Sequence, residues 1–327
     1  MSHKKDTDFL SISARVRAME NRLLTRERLE RMLEARDNGE ALKVLAECGY
    51  GELNASDSAG LERALSAARE NLFRELADCV PDRRLVELFR LKYDYHNAKV
   101  LLKANVTGQT AEHLLVSGGR YTAEQLTQRM DSCGDFFRRA VAQARECLET
   151  TNDPQQADLL LDKACFGEMG LLAAECGSAF LQGYVRLAVD AANLRSWVRC
   201  ARLEKDGRFL GQVLMEGGNV SVFALTQTRA QDIGGLFRPG PLTAAAALAG
   251  DLAKPGSGSL TAFERECDNA LMTYQEKARR TPFGEEVVAG YLFAREAELT
   301  AIRTVMAGRM AGLDGEIIRQ RLRDSYV

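Results

Sequence analysis

The sequence predicts an all-α protein of three related units, and three observations carry that reading. Ala, Leu, Glu and Arg fill long intervals between only six prolines, which stand at apparent boundaries (Pro81, Pro154, Pro239, Pro241, Pro255 and Pro282). Apolar residues recur at spacings of three and four, and no run with a period of two marks a strand. Finally, one polar signature occurs three times at intervals of about a hundred residues, on Asp94, Asp190 and Glu298.

Taken in order, Ala14-Arg15-Val16-Arg17 with Leu23-Leu24 opens an amphipathic helix. Thr25 begins a second apolar series at Leu29, Met32 and Leu33, which Asn38-Gly39 is expected to end as a helix C-terminus. A short helix from about Glu40 to Cys48 closes at Gly49, and the stretch from Asn54 to Gly60 has turn chemistry. Leu61, Ala64, Leu65, Ala68, Leu72 and Leu76 mark a helix with one buried stripe, stopped by Pro81.

The first signature helix follows. Its pattern is an acid, two spacers, Asn, an apolar residue and a base: Asp94, Asn97, Lys99, and again Asp190, Asn193, Arg195. The third copy has Glu298 and Arg303, with Ala301 in place of the amide. On a helix, positions i, i+3 and i+7 share a face, so Asp94 lies with Asn97 and Leu101, Asp190 with Asn193 and Trp197, and Glu298 with Ala301 and Val305. A buried acid or amide left unpaired costs about 1–3 kcal/mol, so these side chains must find partners. One reading makes the signature a device for positioning helices; the other makes it a contact surface repeated three times.

A second landmark follows the first two copies, LLVSGGRYTAEQL at 114–126 and VLMEGGNVSVFAL at 213–225. Each is an apolar pair, a Gly-Gly turn and a polar helix start, with Thr122 and Gln125 placed for a capping box. Gly118 lies 24 residues after Asp94 and Gly217 lies 27 after Asp190, so the order is kept with a three-residue difference. In the third copy the sequence ends at Val327, 29 residues after Glu298, about where such a hook would begin.

Between the copies, a helix from near Asp135 to Glu149 breaks at Asn152-Asp153-Pro154, with Asp153 as cap and Pro154 as first helical residue. Gly234 to Ser259 reads as linker or loop, Thr261 with Glu264 as a capping box, and Thr281-Pro282 as the start of the last signature helix. The units are therefore expected at 1–128, which includes the N-terminal helices, 129–232 and 233–327, with packing of the N-terminal helices on the third unit as the alternative.

No catalytic constellation emerges. The three histidines, His3, His96 and His113, lack the spacing of zinc, di-iron or triad chemistry, and no phosphate-binding loop occurs, so no cofactor or metal is expected. Lys plus Arg number 44 against 46 Asp plus Glu, which leaves no global field for a nucleic acid. The eight cysteines form no C-x-x-C pair and read as small buried hydrophobes in a reducing compartment. No secretory signal is expected, and the run Ala244 to Ala249 falls far below the roughly 20 residues that span a bilayer. Arg195, Arg199 and Arg202 form a basic stripe, either a solvated face or a docking surface for an acidic partner, with Arg199 and Arg202 as candidate partner contacts.

These residues resemble the C subunits of the bacterial and archaeal A-/V-type ATPases, whose eukaryotic counterparts are the d subunits. The resemblance covers essentially the whole chain and rests on Ala14-Arg15-Val16-Arg17 with Leu23-Leu24, the repeated signature, and the close from Ile318-Arg319 to Tyr326-Val327. Ala301 and Ala98 depart from the typical Asn and larger apolar residue. The resemblance implies a funnel of three pseudo-repeated helical domains without an active site, lying on the cytoplasmic face of the membrane. Its implied partners are the D and F subunits of the central stalk and the cytoplasmic loops of the rotor ring that moves H+ or Na+. A soluble helical scaffold or adaptor is the alternative of a different class, and an enzyme a distant third.

Overall fold

A computed structural model describes residues 4–50, 57–108 and 110–327. It is all-α, and the helices in chain order are α1 (Leu10–Glu20), α2 (Arg26–Glu34), α3 (Asn38–Glu47), α4 (Ser58–Ala77), α5 (Arg84–Thr107), α6 (Ala123–Gln128), α7 (Asp135–Thr151) and α8 (Pro154–Cys176). There follow α9 (Ala179–Arg202), α10 (Gly207–Val213), α11 (Val222–Gln227), α12 (Ile233–Leu236), α13 (Thr243–Leu252), α14 (Thr261–Gln275), α15 (Glu285–Met310) and α16 (Gly315–Arg321). The long helices α5, α9 and α15 carry the three signatures.

The chain divides into two compact units, one formed by Arg69–Gln182 with Lys4, the other by Lys5–Ala68 with Gly183–Val327. In the first, α8 packs against both α5 and α7. Phe137, Ala140, Val141, Ala144 and Leu148 make the buried stripe of α7, spaced by three and four. The turn into α8 is Asn152-Asp153: Asn152 takes the left-handed conformation, and Asp153 caps α8 by accepting from the Gln155 amide at 2.9 Å, ahead of Pro154.

Two hydrophobic cores of the second unit gather around the signature helices α9 and α15 among the described residues. In one, Leu187, Leu194, Trp197 and Val198 of α9 meet Ala245, Ala246 and Ala249 of α13 and Phe263 and Cys267 of α14. In the other, Leu29, Met32 and Leu33 of α2, Leu42 and Leu45 of α3, and Leu61 and Leu65 of α4 close over Leu299, Ile302, Val305 and Met306 of α15. Both ends of the chain thus build one core.

Several local expectations change. Asn38-Gly39 opens α3 rather than ending α2, because the Asp37 carboxylate accepts from the Glu40 amide at 2.8 Å and caps the new helix. Of the expected turn at 54–60, residues 54–56 lie outside the described residues. Ser58, Ala59 and Gly60 form the first turn of α4, with Asp57 accepting from the Gly60 amide at 2.6 Å. The stretch 234–259 contains α12 and α13 and contributes Ala245, Ala246 and Ala249 to the core; only its Pro and Gly clusters are loop. The last signature helix begins at Glu285, after Gly284, rather than at Thr281-Pro282. Thr261 caps nothing: Leu260 is the N-cap residue, and Glu264 turns to arginines of α9. The Thr122–Gln125 capping box is present. Six of the eight cysteines are buried, Cys147 is half-buried and Cys79 is exposed.

Candidate functional site

The signature and the Gly-Gly hook are two halves of one device. On α5, Asp94 and Asn97 are both buried. The Asn97 side chain donates to the Val116 carbonyl and accepts from the Val116 amide, each at 2.8 Å, so one amide side chain satisfies both backbone groups of a residue in the hook. Gly118, at φ +105°, then turns the chain across the helix. Gly119 passes so close over Asp94 that a β-carbon there would collide with the carboxylate. Arg90, one turn earlier on α5, donates to the carbonyls of Gly118 and Gly119. The Tyr121 amide donates to Asp94 Oδ1 at 3.2 Å, and Thr122 caps α6.

The second unit repeats this clasp. Asn193 pairs with both backbone groups of Met215 at 2.7 and 2.8 Å, Gly217 has φ +99°, and a β-carbon on Gly218 would meet Asp190. The Val220 amide donates to Asp190 Oδ1 and the Asn219 amide to Oδ2, both at 3.1 Å, and Ser221 caps α11. Both contacts lie three residues further along the chain than in the first copy, 22 against 19 from the Asn and 30 against 27 from the Asp. That is the three-residue difference visible between the Gly-Gly pairs.

The third copy is closed by the other end of the chain. Glu298 Oε1 accepts from the Leu24 amide at 2.5 Å, across 274 residues of sequence. Thr25 then caps α2. In all three clasps an amide donated to the acid belongs to the residue just before an N-cap, Tyr121, Val220 or Leu24. In all three a buried leucine, Leu126, Leu225 or Leu29, stands at the fourth helical position, the pattern of a hydrophobic staple. Ala301 offers no amide side chain, and the matching turn closes on itself, Arg22 N to Met19 O at 3.0 Å and Leu23 N to Glu20 O at 3.1 Å.

Each acid needs further donors, and each copy supplies different ones. Arg120 donates to Asp94 Oδ2 at 2.7 Å and to Glu168 of α8 at 2.7 Å, and Glu168 also accepts from the Tyr95 hydroxyl at 2.8 Å. The Asn219 side chain donates to Asp190 Oδ2 at 2.8 Å. Glu298 Oε2 accepts from the Tyr50 hydroxyl at 2.8 Å and from Arg295, whose guanidinium lies over the Tyr50 ring. Burial pushes all three carboxyls above their ordinary values, with these donors pulling them back. Burial followed by the Glu298 charge raises the Tyr50 hydroxyl well above its ordinary value.

The signature bases tie the long helices to neighbours: Lys99 to Asp162 on α8 at 2.5 Å, Arg195 to Glu264 at 2.7 Å and to Asp268 on α14, and Arg303 to Glu62 on α4 at 2.5 Å. Arg199 also reaches Glu264, at 2.6 Å, and Arg202 donates to the carbonyls of Ser257 and Gly258 at 2.6 and 3.0 Å. Among the described residues no group of three or more His, Cys, Asp or Glu side chains is placed to hold a metal ion. Sequence reasoning missed Arg120, Glu168 and Tyr50. Glu168 alone carried a signal, as the acid within the buried α8 series Leu161, Cys165, Met169 and Leu172.

These geometries set different costs for different members. Asn193→Leu strands both backbone groups of Met215 and is expected to lower stability by roughly 2–4 kcal/mol in a urea titration. Lys99→Ala loses one half-exposed ion pair and should cost about 1 kcal/mol or less; equal costs would contradict the clasp. The raised Asp190 carboxyl means that the folded chain favours its protonated form more than the unfolded chain does. Its contribution is full below the ordinary aspartate value of 3.8 and declines as pH rises through the folded value. Asp190→Asn, which cannot titrate, is therefore expected to cost more stability near about pH 4 than near about pH 7, and the reverse order would refute burial as the dominant influence.

The chain matches the family described as ATP synthase (C/AC39) subunit over residues 12–321. It is 22% identical to the C subunit of the V-type sodium ATPase of Enterococcus hirae, covering 98% of this chain and 99% of that protein. It is 28% identical to the C subunit of the V-type ATP synthase of Thermus thermophilus, covering 94% and 95% respectively. It is 25% identical to the C subunit of the A-type ATP synthase of Haloferax volcanii, covering 95% and 96%. With the family pattern running from within α1 to the end of α16, and so through all three clasps, the chain belongs to the ATP synthase (C/AC39) subunit family.

Proposed function

We propose that this protein is a non-catalytic subunit of the central stalk of a V-type or A-type ATPase. In this reading it is a funnel of three helical parts at the cytoplasmic face of the membrane. It joins a stalk of D and F subunits to the cytoplasmic loops of the ion-translocating ring, and passes torque between ATP chemistry and H+ or Na+ movement. The observation that carries the reading is the third clasp, which ties Leu24 to Glu298 inside one core. A rotor component loaded in torsion must not peel from either end, and a close-packed core shared by both ends transmits strain rather than absorbing it. Family membership along almost the full chain supports a place in the ATPase complex. No described helix is long and apolar enough to cross a membrane, which suits attachment through partner proteins.

The test is affinity purification of the tagged chain from native membranes in mild detergent, followed by mass spectrometry and an ATPase assay. Recovery of A, B, D and F subunits with a membrane ring is expected. Recovery of the chain alone, or with unrelated proteins, from membranes whose ATPase is intact would refute the rotor role.

A further inference from the structure

The second unit carries a groove of about 950 Å³ that the clasps do not use. One wall is the C-terminal end of α9, with Arg199 and Arg202; another is the C-terminal half of α15, with Arg303 and Thr304. The segment 258–261 leading into α14, and Arg321 at the end of α16 with Arg323 just after it, complete it. Its floor is aliphatic: Leu260, Ala307, Ala311, Leu313 and Ile318.

The arginines here outnumber the acids that meet them. Arg195, Arg199 and Arg323 share two carboxylates, Glu264 and Asp268. Arg303 has Glu62, and Arg202 reaches backbone carbonyls rather than a carboxylate among the described residues. Arg321 is exposed and makes no ion pair with a carboxylate among the described residues. The groove is thus positive on a chain whose net charge is −2. Its cations come from three separate walls around an apolar floor. A small anion would need them to converge on one point and would leave that floor bare, whereas a helix or extended segment with carboxylates along one edge and aliphatic side chains along the other satisfies both.

We infer that this groove binds an acidic, amphipathic segment of a partner protein. Carboxylates of that segment take up the charge of Arg202 and Arg321 and supplement the single carboxylate that Arg199 shares with Arg195, and its aliphatic side chains cover the exposed Ala311 and Leu313. The inference concerns the chemistry of the groove and is tested without the membrane complex, so its failure and failure of the rotor reading are separate results.

The experiment titrates the full chain into a fluorescein-labelled helical peptide of Glu, Leu and Ala, and into the same peptide with Lys for Glu, by fluorescence anisotropy. The acidic peptide should bind at least about tenfold more tightly than the basic one and weaken as salt rises. Arg321→Glu should weaken it by about tenfold, and Arg202→Gln should weaken it in the same direction. Arg145→Glu, the same charge change on the exposed face of α7, should leave it unaltered, with melting curves confirming that each variant is folded. Equal binding of the two peptides, or equal effects of the Arg321 and Arg145 changes, would overturn the inference. So would displacement of the acidic peptide by inorganic phosphate or by phosphatidylglycerol vesicles at matching anion concentration, which would make the groove a simple anion or lipid site.

Discussion

An acid buried in the middle of a long helix is the constraint on which this fold depends. The helix backbone has already used its own amides, so Asp94, Asp190 and Glu298 depend on side-chain donors and on backbone amides brought from elsewhere in the chain. The chain brings them by folding a turn back across the helix, and the turn is then fixed at two points wherever an Asn lies one helical turn after the acid. The cost of burying the acid thus becomes a specification, because the hook can sit in one register only. A shift by one residue would take Tyr121 or Val220 away from its carboxylate, and in one direction it would also put the β-carbon of Arg120 or Asn219 where Gly119 or Gly218 must pass.

The three copies keep this logic while varying the chemistry. Asp94 is balanced by an arginine that also serves Glu168, so the first clasp is bolted to α8 as well as to its hook. Asp190 is balanced by a neutral amide and by backbone alone. Glu298 has one more methylene and reaches a turn that needs no glycine pair, drawing on Tyr50 and Arg295 for its second oxygen. The pairs made by the signature bases are more exposed and carry less of the energy; their value is in orienting α8, α14 and α4 against the long helices.

Much of this was legible in the residues. Helical class followed from composition and period, and the three-residue offset between the Gly-Gly pairs is the offset of the hydrogen bonds themselves. What periodicity reports, however, is that a face is buried, not what covers it. Nothing near Glu298 in sequence identifies Leu24 as its donor, because the hook is 274 residues away. Arg120 and Glu168 were missed for the same reason, their partners being set by tertiary packing. Local signals also compete: Asp37 as a cap defeats Asn38-Gly39 as a stop, and burial of Ala245, Ala246 and Ala249 makes a helix of a stretch whose flanking Pro and Gly read as loop. The Arg199 and Arg202 stripe could be read as basic, but only folding shows that Arg303, Arg321 and Arg323 join it around an apolar floor.

Residue-resolved amide hydrogen exchange on the wild-type chain and on Glu298→Ala tests the shared clasp most directly. If one device operates three times, the amides of Tyr121, Val220 and Leu24 are all protected in the wild type. Glu298→Ala should then release Leu24 and the first turn of α2 while leaving Tyr121 and Val220 unchanged. A Leu24 amide that exchanges freely in the wild type, or stays protected after the substitution, would contradict closure of the third copy by the N-terminal segment.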